Sequence, residues 1–441
     1  MNLISRRSFI QSAAAAMAAP SAFSSPRKPN IIVILADDLG YGDLGCYGNT
    51  EIRTPHLDSL AKGGLRFTDF HSSCPVCSPT RAGLLTGRYQ QRCRVPSVVT
   101  VAKHRDRGLP PSEITFAERL RETGYATGIF GKWHLGYQQQ FNPTRQGFDR
   151  FRGYVSGNVD YISHIDQGGV ADWWENDRLA PEEGYSTHLI TQHSVQFIED
   201  NHDQPFCLYV AHESPHYPYQ APDDKADRTV GGEFNSHGSR QDKKSAYKTM
   251  IEEMDKGVGE ILAALKKHNL EQDTFVFFFS DNGATKVGSN SDLRAWKGTL
   301  WEGGHRVPAM AYWPGRIQPG VIDDTAISLD IFPTLLSLGG ADIPTDRPID
   351  GRDLSSILFN RESLPARKLF WSYNNQRAVR DGDWKLVITK KSNKDDIELF
   401  NLKTDPSEAN NLASQKTSIL QKLLRDLTEW EKDVKLEELT W

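Results

Sequence analysis

Four short runs of almost uninterrupted apolar residues limit what this chain can fold into more than any other feature. They are Asn30-Ile-Ile-Val-Ile-Leu-Ala36, residues 125–130, residues 205–211 and Thr274-Phe-Val-Phe-Phe-Phe279. A strand with one wet face alternates apolar and polar residues, so runs of this length rich in β-branched and aromatic side chains predict strands buried on both faces. Helical patterns separate them. One covers Phe116 to Leu120 and stops at Gly124, another covers 187–199, and 246–270 carries a stripe of Tyr247, Met250, Ile251, Met254, Val258, Ile261, Leu262 and Leu265. The alternation predicts an α/β fold, a large mostly parallel sheet flanked by helices on both faces. Helical spacing in Leu57, Leu60, Ala61 and Leu65 predicts one more helix after the first strand.

In such sheets functional residues gather beyond the carboxyl ends of the strands. Each run here ends in charged or polar residues: Asp37-Asp38 after the first, Lys132 and His134 after the second, His216 after the third and Asp281-Asn282 after the fourth. Two adjacent carboxylates after a buried strand are costly unless solvated, paired or bound to a cation, and their oxygens suit a hard ion such as Ca²⁺, with Mg²⁺ the alternative. An exposed Asp-Asp turn is the plainer reading. Lys132 and His134, two apart on an extended segment, project to one side and suit an anion. His216 lies in a proline-stiffened turn, where a histidine is more often structural.

The segment Cys74-Pro-Val-Cys77-Ser78-Pro79-Thr80-Arg81-Ala-Gly-Leu84-Leu85-Thr86-Gly87 joins these clusters. Proline is tolerated in the first turn of a helix, so Pro79 predicts a helix start with Ser78 or Cys77 as N-cap. Unpaired N–H groups there would hold an anion beside Cys77, and Arg81, one turn later, adds a fixed charged fork. A buried cysteine before a helix, or a redox pair in Cys74-x-x-Cys77, are the competing readings.

Cys77-Ser78-Pro79-Thr80-Arg81, continuing to Leu84-Leu85-Thr86-Gly87, resembles the C-x-P-x-R signature of type I sulfatases, in the arylsulfatase A and N-acetylgalactosamine-6-sulfatase branch of the alkaline-phosphatase-like superfamily. Residues 124–134 resemble that family's second signature, departing at Phe130, where a smaller residue is usual. The resemblance covers almost the whole mature chain. It implies that Cys77 is oxidised by a formylglycine-generating enzyme to 3-oxoalanine (formylglycine), whose hydrate is the nucleophile. It also implies a Ca²⁺ held by Asp37, Asp38, Asp281, Asn282 and the oxidised Cys77, with Arg81, Lys132, His134, His216 and Lys297 around the sulfate. Asp281 or a neighbour would be the base, His216 with Lys297 the acid, and His134 the base that regenerates the aldehyde. Implied substrates are aryl sulfates or sulfated saccharides. A phosphonate or phosphate ester hydrolase of the same superfamily and a catalytically silent sulfated-glycan-binding protein are the rivals.

Composition sets the surroundings. At 441 residues and a net charge of −5, nothing suggests nucleic acid as a partner, so an anionic substrate must be attracted locally. Arg6-Arg7 ahead of a short alanine-rich stretch resembles a twin-arginine export signal, with an ordinary secretory signal as the alternative. Residues 1–26 are thus expected to be signal and linker, the product exported to the periplasm or beyond, without a membrane span. Five cysteines leave four if Cys77 is consumed, and these are expected to stay mostly unpaired. Residues 141–183 show little periodicity and read as long loops over one end of the scaffold, with Trp173-Trp174 more suited to packing than to stacking on sugars. A catalytic domain over 27–345 is expected, followed by a subdomain over 346–441. Short strands and an Asp381-Gly382-Asp383 turn there predict a small antiparallel sheet, closed by a helix near 414–433 and without chemistry of its own.

Overall fold

The computed structural model describes residues 28–232, 235 and 237–439, so the expected signal segment lies outside the described residues. In chain order the first elements are β1 (Asn30–Ala36), α1 (Pro55–Gly63), β2 (Leu65–Phe67), β3 (Phe70–His71), α2 (Cys77–Thr86), α3 (Phe116–Glu122) and β4 (Ala126–Lys132). Then come β5 (Arg150–Tyr154), β6 (Trp174–Glu175), β7 (Arg178–Leu179), α4 (Ser186–Asp200), β8 (Phe206–Ala211), α5 (Lys243–Lys267) and β9 (Thr274–Ser280). They are followed by α6 (Glu302–His305), β10 (Ala309–Tyr312), β11 (Gly320–Ile322), β12 (Ala326–Ile327), α7 (Ile331–Gly339) and α8 (Ser355–Asn360). Four hairpin-linked strands, β13 (Lys368–Tyr373), β14 (Gln376–Asp381), β15 (Trp384–Thr389) and β16 (Asp396–Asn401), precede α9 (Thr417–Asp433).

The ten-stranded main sheet runs β11-β2-β10-β9-β1-β8-β4-β5-β6-β7. Its centre is parallel, with β1 between β8 and β9. The pattern NIIVILA explains the position of β1. Ile31, Val33 and Leu35 enter one core with Leu84 and Leu85 of α2, Phe116 of α3 and Leu335 of α7. Ile32, Ile34 and Ala36 enter a second core with Leu57 of α1, Ile190 of α4 and Met250 of α5. Every residue of β1 is fully buried, which the apolar run Ile31–Ala36 sustains on both faces, while Asn30 at its start donates its side-chain amide to Thr274 Oγ1 at 3.2 Å.

Two expectations change in detail. Leu65 belongs to β2 rather than to the helix before it, because Gly64 ends that helix and turns the chain back against Ala311. Residues 141–183 include β5, β6 and β7, which extend the sheet at one edge. Beside β9 lies one further short strand, β10, antiparallel to it. These strands are too short for a period of two to show. The C-terminal sheet is antiparallel throughout, in the order β13-β14-β15-β16.

Registry sets the functional rim. Ala36 pairs with Ser280, Leu35 with Ala211, and Gly131 with Ala211, so the residues that follow β1, β4, β8 and β9 all emerge at one edge. Gly131 makes the last of these pairings possible: its φ is +109°, and a Cβ there would lie 2.1 Å from the Ala211 carbonyl oxygen.

Candidate active site

Helix α2 starts with Cys77, and its N-cap is Val76, not Ser78 or Cys77. Ser78 is occupied elsewhere: its hydroxyl oxygen accepts the Val99 N–H at 3.1 Å, tying the helix to the loop that passes over it. The first turn of α2 is aimed at the rim, where Cys77 is only 2% exposed. Its Sγ lies 3.4 Å from Asp37 Oδ1 and 3.5 Å from Lys297 Nζ.

The two carboxylates after β1 are handled differently. Asp37 accepts from Arg81 at 3.1 Å and from Lys132. Burial pushes its carboxyl up, but Lys132, His216, Arg81 and Lys297 together outweigh this and hold it below the usual range. Asp38 adopts φ +65°, a left-handed conformation rare outside glycine and of the kind stored at functional sites. It accepts from Lys297 at 2.5 Å and from the Asn282 amide at 2.8 Å, and burial raises its pKa.

Arg81 is the hub. Its guanidinium donates to Asp37, to Asp281 at 3.3 Å, and to the Lys132 carbonyl at 2.9 Å, binding α2 to the ends of β1, β4 and β9. Asp281 is pushed up to about 7 by burial and by Asp37, and its other oxygen accepts the Asp38 N–H at 3.2 Å. The cysteine thus meets Asp37, while Asp281 is committed to Arg81 and the backbone.

The histidines have defined roles as donors. His216 follows Pro215, and its Nδ1 faces the Tyr217 carbonyl at 2.6 Å, so that nitrogen carries the proton and Nε2 is left toward Asp38, 3.7 Å away. His134 lies past the end of β4 at φ +58°, so simple strand alternation with Lys132 does not apply. Its Nε2 donates to the Val99 carbonyl at 3.1 Å, leaving Nδ1 a buried acceptor with no hydrogen-bond partner. Burial holds both rings well below the usual histidine range, helped by Lys297 at His216 and by Lys132 at His134.

The residues fit a hard cation. Asp38 Oδ2 and Asn282 Oδ1 are buried oxygens without hydrogen-bond partners, a costly arrangement unless something positive is bound. Ligand atoms of Asp37, Asp38, Cys77 and His216 lie within 4.8 Å of one another. His216, read from the sequence as a proton donor, thus also stands among the candidate ligands. The carboxylate oxygens of Asp37 and Asp38 and the amide oxygen of Asn282 are the donors that suit Ca²⁺ or Mg²⁺.

The redox reading of Cys74-x-x-Cys77 has no support in this geometry. A redox cysteine needs a depressed thiol pKa, whereas burial pushes both thiols up. All five cysteines are unpaired.

Over the rim opens a pocket of about 340 Å³ containing Cys77, His134, His216 and Lys297. Its walls were not read from the sequence. Val98 to Val101, Tyr137, Gln167 and Tyr217 come from the long loops, and Tyr373 comes from the C-terminal sheet, which therefore does contribute to the site. No local pattern marks these residues, since each reaches the pocket only through the tertiary fold. Trp173 is fully buried and stacks on His164.

A second buried cluster was also missed. Lys385 of β15 donates to Glu302 at 2.8 Å, pairs with Glu408 at 2.9 Å, and lies 3.1 Å from His305. Nearby, Arg380 of β14 grips Asp69 through two nitrogens, at 2.7 and 2.8 Å, and Trp371 stacks on His305. These contacts lock the C-terminal sheet onto the segment that runs from Lys297 into α6.

Comparison with known proteins agrees with this construction. Residues 29–341 match the family model described as Sulfatase, and residues 295–433 match one described as N-sulphoglucosamine sulphohydrolase, C-terminal. The chain is 38% identical to arylsulfatase A of Homo sapiens over 392 residues, covering 81% of this chain and 74% of that one. It is 35% identical to N-acetylgalactosamine-6-sulfatase of Mus musculus over 391 residues, covering 82% and 72%. Among solved structures, Ps i-CgsB in complex with k-i-k-neocarrahexaose superposes with a TM-score of 0.82 at 31% identity, covering 92% of this chain and 93% of that one. With that coverage, and with the signature cysteine seated among paired aspartates and basic side chains, the chain belongs to the sulfatase family and is an enzyme that hydrolyses sulfate esters.

Proposed function

We propose that the substrates are sulfated saccharides and that the reaction uses Cys77 oxidised to formylglycine, with Ca²⁺ held by Asp37, Asp38, Asp281 and Asn282. One observation carries the reading: the Cys77 side chain is enclosed between Asp37 Oδ1 and Lys297 Nζ at the floor of the pocket, beside two unsatisfied buried oxygens. When bound, the ion would neutralise charge on the ester oxygens, and the modified residue would present a hydrated aldehyde in place of a thiol.

The chain's own groups do the rest. Asp37 Oδ1 is placed to take a proton from residue 77. Lys132 and Arg81 keep that carboxylate ionised and add positive charge where the ester's negative charge grows. Lys297 is held protonated because Asp38 and Cys77 outweigh its burial. It stands beside His216, whose Nε2, unprotonated in the resting site, is the atom that would take up a proton and pass it to the departing oxygen. His134 Nδ1 is the acceptor for the step that restores residue 77.

A pocket of this size suits a sugar ring, and a relative with 31% identity was solved with an oligosaccharide bound. We further infer export directed by residues 1–26, maturation by a formylglycine-generating enzyme, and division into a catalytic domain, 27–345, and a subdomain, 346–441.

The test combines chemistry and rate. Mass spectrometry of the peptide containing residue 77 should show the aldehyde, and Cys77→Ser, made in a host unable to oxidise serine, should be inactive. The native enzyme should cleave an aryl sulfate faster than the matching aryl phosphate, and a panel of sulfated oligosaccharides of known linkage should name the ring position. Full turnover by Cys77→Ser would overturn the nucleophile, and preference for the phosphate would overturn the substrate class.

A further inference from the structure

The loop that forms one wall of the pocket continues into a basic tip. Val98 to Val101 line the pocket, and Lys103, Arg105 and Arg107 follow within six residues against one carboxylate, Asp106. In a chain of net charge −5 this is a local reversal. The tip is held in shape by its own bonds. His104 N–H donates to the Thr100 carbonyl at 2.9 Å, Thr100 N–H donates to His104 Nδ1 at 3.1 Å, and Leu109 N–H anchors the base on the Leu135 carbonyl at 2.9 Å.

Arg105 connects this tip to the site. It is exposed, and its guanidinium lies 5.7 Å from the ring centroid of Tyr137, a pocket-lining side chain whose hydroxyl reaches the Val99 carbonyl. Stacking on an aromatic face orients the fork while leaving its N–H edge to solvent. The two carboxylates that face Tyr137 from the neighbouring loop are held by other groups, Asp166 accepting from the N–H groups of Gly168 and Val170 at 2.8 and 3.0 Å and Asp172 from those of Val155 and Ser156 at 3.1 and 2.9 Å, and among the described residues no carboxylate forms an ion pair with Arg105. The fixed cation at the mouth thus keeps capacity for an external anion, separate from the groups that hold the reacting ester.

Building on the proposed saccharide substrate, we propose that Arg105, with Lys103 beside it, forms a second anion subsite at the pocket mouth. The substrate class it selects is a polyanionic saccharide, which carries at least one further anionic group outside the pocket.

Calorimetric titration with two probes tests this without needing turnover: inorganic sulfate, which fills only the pocket floor, and short dextran sulfate oligomers, which also reach the mouth. In Arg105→Ala the ratio of dissociation constants, dextran sulfate over inorganic sulfate, should rise at least fivefold at low salt. Arg105→Lys should recover part of that rise, because charge returns without the planar fork. Lys62→Ala, which removes an exposed lysine on α1, should leave the ratio at the parent value. A ratio unaltered in Arg105→Ala, or altered as much in Lys62→Ala, overturns the subsite. Aryl sulfate hydrolysis, assayed separately, reports on the catalytic reading, so the two proposals fail independently.

Discussion

Arg81 shows how much one side chain can hold at this rim. A lysine could reach one of its acceptors but could not span Asp37, Asp281 and the Lys132 carbonyl together, since it lacks the planar fork. Arg81→Lys should therefore fold but lose about 10²- to 10³-fold in kcat on an aryl sulfate, the size expected for removing one preorganised charge-stabilising donor. Steady-state kinetics beside circular dichroism would check it. A loss confined to KM would show that Arg81 only binds. Added Ca²⁺ should raise the melting temperature of the parent enzyme, because a ligand that binds only the folded state stabilises it, and Asp38→Ala should abolish that rise. Thermal scans with and without the ion read this directly, and an equal rise in the variant would place the cation elsewhere. Residues such as Asp37, Asp38 and Arg81 were legible in the sequence because each stands beside an apolar run or a proline that fixes its place. Tyr137 and Tyr373 were not, because nothing within several residues of either one records that it faces a pocket.

At the scale of elements, the buried central strands were legible and the edges were not. β1, β4, β8 and β9 need apolar side chains on both faces, which leaves a continuous signal, whereas β6 and β7 are two residues each and β10 only four. The end of β4 is also where packing and chemistry meet. Gly131→Ala would force a methyl group into the Ala211 carbonyl at a positive φ, one residue before Lys132. The expected outcome is a lower melting temperature together with reduced kcat, read by thermal unfolding and kinetics, and a variant as stable as the parent would contradict the close approach. Lys385 illustrates the opposite limit of legibility. A lysine in the middle of a strand reads as a solvated position, yet here it is fully buried with Glu302 and Glu408. Lys385→Met would leave two carboxylates without their cation and should cost roughly 3–5 kcal/mol, the usual penalty for breaking one side of a buried ion pair. Denaturant titration would measure it, and adding Glu408→Gln should recover part of the loss.

For the whole molecule, the junction between the main sheet and the C-terminal sheet is ionic as well as apolar. Burial alone would raise the Asp69 carboxyl, but Arg380, His71 and Arg306 hold it well below its ordinary value of 3.8. An acid with a depressed folded pKa adds stability that is fully present above its unfolded pKa. That contribution is lost as pH falls below about 3.8 toward the folded value. Asp69→Asn should therefore be less stable than the parent at neutral pH, with the gap closing only in strong acid. Melting temperatures measured from pH 7 down to the acid limit of the fold would show this, and a gap independent of pH would mean that shape rather than charge holds the junction.

The order of strands also carries a timetable. β1 pairs with β9, about 240 residues further along the chain, so the sheet cannot close over residue 77 until most of the polypeptide has been synthesised. Once closed, it leaves that side chain 2% exposed at the floor of a pocket far too small to admit another protein. A catalyst that acted on the cysteine itself would therefore have to reach it before the sheet closes, on the nascent or unfolded chain.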